Sequence, residues 1–118
     1  HINLSKIVKR SAGHYIPILY CDTMMGINFN PTYYIDISKF MTDKIKSIYC
    51  HKSQNPERFV KLIRLMNSYR AAQCNAPEGE YAEAYFFESS FPFSDIRSML
   101  PKSFKIRPFH IQNINGFL

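Results

Sequence analysis

The stretch "IYCHKSQNPERF", residues 48 to 59, places His51 and Gln54 directly before an Asn55-Pro56 pair. An imidazole and an amide so close to a helix junction can do two different things. They can bond the last carbonyls of one helix and bridge into the next, or they can face a ligand. Glu83, between Ala82 and Ala84 in a strand-like run, is a carboxylate that needs a cation once it is buried, and Arg70 is the partner to expect. Of the four histidines, His1, His14, His51 and His110, no two stand at metal-ligand spacing, so a metal site has to be assembled by folding or completed from outside. No serine sits in a G-x-S-x-G elbow, and four scattered glycines make no phosphate-binding loop. Cys21, Cys50 and Cys74 are odd in number and lack a C-x-x-C pair. They read as free thiols in a reducing, cytoplasmic setting.

The elements that must position these groups can be read from periodicity. In "INLSKIVKRSAGH", Leu4, Ile7, Val8 and Ala12 recur at helical spacing opposite Lys6, Lys9 and Arg10, with Gly13 to end a half-buried helix. The apolar run "YIPILYCD" predicts a strand buried on both faces, as in a parallel sheet. "TMMGINFNP" carries loop residues, yet its Met24, Met25, Ile27 and Phe29 are apolar, which predicts a loop that lines something. "TYYIDI" is β-rich, and Asp36 or Ser38 can cap a helix over 39–51, whose core face is Phe40, Met41, Ile45, Ile48 and Tyr49.

A third helix over 56–72 opens on Asn55 as cap and Pro56 in its first turn. Phe59, Leu62, Ile63, Met66 and Tyr69 are its expected buried stripe, and Arg58, Lys61 and Arg64 its solvated side. "NAPEG" is a turn, "EYAEAYFFES" a late strand, and "FSDIRSMLP" a short helix capped by Ser94 and ended by Pro101.

With 118 residues, 46% apolar and 15% aromatic, the chain is a single ordered unit with a real core. Its net charge of +6 is spread along the sequence, without a basic stripe or a known module, and nucleic acid is not an expected partner. A basic module for an anionic polymer is the weakest of the readings. No apolar run is long enough to span a bilayer.

Taken in order, "PTYYIDIS", Lys44 within a helix, "HKSQ", a helix ending in "SYRAAQ" and "EYAEAY" resemble the C-terminal half of the LmbE-like, or PIG-L, family of N-acetylglucosaminyl deacetylases. The resemblance covers roughly residues 1 to 100. It implies an α/β fold, a Rossmann-like three-layer sandwich with a mainly parallel sheet, of which residues 1–118 are the C-terminal portion. The implied activity is zinc-dependent removal of the N-acetyl group from a GlcNAc-containing small-molecule conjugate. His1 falls on the last histidine of the family's H-x-D-H motif, a Zn2+ ligand. The A-H-P-D-D loop, with the other ligands and the general base, belongs to an N-terminal half that this sequence does not contain.

On the same resemblance Met24, Met25 and Phe29 are expected to contact the aglycone. His51 and Gln54 are expected to clamp the helix junction to the late strand around Glu83. The alternative is a non-catalytic carbohydrate-binding or interaction module that kept the fold. Assembly into a homo-oligomer is left open.

Overall fold

A computed structural model of the chain describes residues 2–100 and 105–108. It contains three helices, α1 (Ile2–Ala12), α2 (Met41–Tyr49) and α3 (Pro56–Gln73), and four strands, β1 (Ile18–Cys21), β2 (Tyr33–Asp36), β3 (Ala82–Glu88) and β4 (Ile106–Pro108). Short 3-10 turns cover Met24–Gly26, Ser38–Phe40, Lys52–Gln54 and Ile96–Ser98. His1 and Pro101 lie outside the described residues.

The strands form one sheet in the order β1-β3-β2-β4. Every neighbouring pair is antiparallel, with Ile18 opposite Glu88, Tyr34 opposite Ala84 and Ile35 opposite Ile106. This corrects the mainly parallel Rossmann-like sandwich expected above. The strand-like segments exist where expected, but periodicity carries no direction. β1 and β2 do run the same way, and β3 enters between them in the opposite sense instead of letting them pair. Their burial agrees: Ile18, Leu19 and Tyr20 are half-buried, as suits an antiparallel sheet rather than a parallel one covered on both faces.

The alternation along β3 divides the core in two. Ala82 and Ala84 join Tyr34, with Ala71 of α3 and Cys74 just past its end, in one cluster. Phe87 points the other way and meets Ile96 and Ile106, with Leu19, Tyr33 and Leu100 packed around them. α3 lies on β3 and β2, and α2 lies against α3.

Helix α3 begins as its sequence dictates, with Pro56 at its first turn and the Asn55 side chain accepting a hydrogen bond from the Arg58 backbone at 3.4 Å. Its buried side differs from the expected stripe. Pro56, Val60, Asn67, Arg70 and Ala71 are buried, whereas Phe59, Leu62, Ile63 and Met66 are half-buried and Tyr69 is exposed. The cause is the sheet surface beneath. Ala71 packs with Ala82, Ala84 and Tyr34 of the sheet, Asn67 bonds the Ala82 carbonyl, and the large apolar side chains lie on the flank.

In α2 only Met41 is fully buried. In α1 no residue is buried, and Leu4, Ile7 and Val8 are exposed, against the half-buried helix expected. Asp36, not Ser38, bonds the turn before α2, accepting from the Ser38 backbone at 2.9 Å. The turn at Ile96–Ser98 is capped by Asp95 rather than Ser94.

Candidate functional site

β1 stops beside the middle of β3. Cys21 is opposite Tyr85, and the Asp22 backbone donates to the Ala84 carbonyl at 3.3 Å. Among the described residues no strand pairs with Ala82 and Glu83 on that side, and a cleft of about 460 Å³ opens there between the β3 edge, the end of β1 and the flank of α3.

Its polar wall is a bonded network. The Lys44 ammonium donates to Glu83 Oε1 at 2.6 Å and to Asn67 Oδ1 at 2.9 Å. Asn67 Nδ2 donates to the Ala82 carbonyl at 2.8 Å, in a buried bond between α3 and β3. The Tyr85 hydroxyl donates to Glu83 Oε2 at 2.5 Å. A second pair closes the far end, where Arg70 Nε and Nη2 donate to Asp22 Oδ2 at 2.8 and 2.6 Å, and Arg70 Nη1 donates to Gln73 at 2.6 Å. Arg70 also stacks over the rings of Phe29 and Tyr69. The carboxylate expected to pair with Arg70 therefore belongs to Asp22, and Glu83 belongs to Lys44.

The opposite wall is the displaced stripe of α3, Phe59, Leu62, Ile63 and Met66, with Met25 reaching in from the loop after β1.

The electrostatics of Glu83 follow from these contacts. Burial pushes its carboxyl up, but hydrogen bonds from Lys44 and Tyr85 and the charge of Lys44 outweigh it, leaving Glu83 below its ordinary 4.5. Burial, reinforced by the hydrogen bond to Glu83, pushes the Tyr85 phenol well above its usual range. At neutral pH the pair is thus carboxylate and neutral phenol.

A carboxyl depressed on folding contributes stability above its unfolded value and loses it as pH falls through the folded one. Lys44→Met removes the main depressing contact and leaves burial as the largest influence. The variant's stability should therefore decline less than the parent's as pH is lowered from 6 to below 4.5. Urea unfolding across that range checks this; parallel curves would show that Lys44 does not hold the Glu83 charge.

Of the residues singled out from sequence, Glu83 and Met25 line this cleft. Phe29 is half-buried against the Tyr34 cluster, and Met24 is placed only by its backbone, in the 3-10 turn. His51 and Gln54 are exposed. Their junction is held by backbone bonds, His51 N–H to the Ile48 carbonyl and Gln54 N–H to the His51 carbonyl, both 3.0 Å. Side chains of other residues fasten helices to the late strand: Asn67 to the Ala82 carbonyl, Lys44 to Glu83 and Lys9 to Glu88.

Asp22, Asn67 and Tyr85 were not picked out by sequence reasoning. The available signal was that Val60, Asn67, Ala71 and Cys74 share one helical face, which puts a polar amide in an otherwise small and apolar row.

Among the described residues no three His, Cys, Asp or Glu side chains come together so as to hold a metal ion. The zinc implied by the resemblance therefore finds no ligand set in the described part of the chain. No helix among the described residues is long and apolar enough to cross a membrane. No family model, curated protein or solved structure matches the chain.

Proposed function

We propose that the chain forms the conjugate-holding wall of an amide hydrolase that removes the N-acetyl group from a GlcNAc-containing conjugate, with zinc as the cofactor that the resemblance implies. One observation carries the reading. Lys44, Arg70 and Glu83 come from three separate pieces of that resemblance, and they line a single cleft in which Lys44 and Glu83 bond each other. A chance agreement of short motifs gives no reason for their charged residues to converge. The HKSQ piece lies apart, at an exposed junction, and has no part in the proposal.

The chemistry assigned to the described residues is binding and orientation. An ionised Glu83 offers acceptor lone pairs to sugar hydroxyls, and the apolar flank of α3 excludes water from one side of the ligand. The described residues supply no ligand set for zinc, so no step is assigned to the metal here.

The test is incubation of the natural protein with a GlcNAc glycoside, following acetate by NMR and free amine by a fluorogenic reagent. Equal amounts of both products are expected, with release stopped by a chelator and restored by zinc. Binding of the glycoside without acetate release would instead identify a carbohydrate-binding module, and absence of both would remove the sugar from the reading altogether.

A further inference from the structure

We infer that the cleft takes a conjugate whose non-sugar part is uncharged and apolar, an alkyl or aryl group lying along the flank of α3. This deepens the sugar-amide reading and rests on it only for the sugar end.

The first observation is the shape of the apolar wall. Phe59, Leu62, Ile63 and Met66 follow the three- and four-residue spacing of one helix face, so they form a continuous strip along the cleft. All four are half-buried, and they stand outside the cluster that Ala71 makes with Ala82, Ala84 and Tyr34. A strip of this kind inside a concavity of about 460 Å³ gains from an apolar occupant what it cannot gain from its own chain.

The second observation is charge. The chain carries +6 overall, yet the two cations that line the cleft are each matched by a carboxylate, Arg70 with Asp22 and Lys44 with Glu83. A phosphate or carboxylate in the ligand would meet cations whose charge is already balanced by carboxylates at 2.6 Å, and it would lie beside Asp22 and Glu83, so it would gain little net attraction for the desolvation it suffers. An uncharged group avoids that cost. The polar wall is therefore complementary to neutral hydroxyl and amide groups, and the opposite wall to hydrocarbon.

Calorimetric titration of the natural protein with four probes tests the inference: methyl β-GlcNAc, hexyl β-GlcNAc, GlcNAc 1-phosphate and hexyl β-glucoside. Hexyl β-GlcNAc should bind about thirtyfold tighter than the methyl glycoside, from partial burial of the added methylenes. The phosphate should bind no better than the methyl glycoside. Ile63→Ser should remove about tenfold of the hexyl advantage, and Met66→Gln serves the same purpose if that variant does not fold.

Equal binding of methyl and hexyl glycosides, or tightest binding of the phosphate, would overturn the apolar subsite even if acetate is released. Hexyl β-glucoside binding as tightly as hexyl β-GlcNAc, with no acetate released from the latter, would keep the subsite and overturn the amide-hydrolase reading.

Discussion

Replacing Arg70 with alanine is expected to destabilise the fold by about 3–5 kcal/mol, the cost of removing one partner of a buried ion pair. The Arg70 side chain is 4% exposed and that of Asp22 13%, so the stranded carboxylate has little access to water. The loss is compounded because the guanidinium also bonds Gln73 and stacks over Phe29 and Tyr69. Arg70→Lys should recover only part of it, since an ammonium cannot reproduce the planar fork and its stacking. Urea denaturation measures both variants, and a loss under about 1 kcal/mol for the alanine variant would show that the pair behaves as an exposed one. For a small domain whose whole stability is about 5–15 kcal/mol, the expected loss is a large share.

Gly26→Ala should cost about 2–4 kcal/mol, from two separate causes. Gly26 has φ +57, where a side chain is strained, and a Cβ built there would lie 2.2 Å from Arg70 Nη2 and 2.6 Å from the end of Met66. Arg70 cannot move aside without giving up Asp22. Gly13 and Gly79 share the positive φ but have nothing within 4 Å of such a Cβ, so alanine there should show the backbone cost alone, about 1–2 kcal/mol. Thermal melts of the three variants separate the contributions. Equal losses at all three sites would mean that the contact with Arg70 is not tight.

How far these features could be read from sequence depends on what local pattern encodes. Helices α2 and α3 were legible because Asn55, Pro56 and the three- and four-residue spacing of apolar side chains are local facts. The strand at Ala82–Glu88 was legible for the same reason. Strand direction was not, because the hydrogen bonds that set it join residues far apart, such as Ile18 and Glu88.

Side-chain size alone does not reveal which face of α3 is buried. The deciding property is the surface the helix meets, and at Ala82 and Ala84 the helix presents Ala71 and Asn67, with Cys74 just past its end, while its large side chains form a cleft wall. The partner of Glu83 was misassigned for a related reason. Lys44 and Arg70 are both plausible cations by sequence, and only the position at which β1 ends, with Asp22 beside Arg70, decides between them. His51 and Gln54 were conspicuous as residue types, yet their exposed junction is secured by backbone bonds.

The strand order also has a consequence for the time course of synthesis. β1 and β2 both pair with β3, which is the last of these three to leave the ribosome, and β2 waits longer still for β4 on its other side. At about 5–20 residues per second, the segments Ile18–Cys21 and Tyr33–Asp36 wait several seconds with unpaired backbone groups before residues 82–88 emerge to join them. α2 and α3 need only local contacts to begin forming and are made during that interval. The nascent chain should therefore pass from a helical, protease-sensitive state to a resistant one when β3 clears the exit tunnel. Chains stalled before and after that point would show the step as a change in protection of the β1 segment.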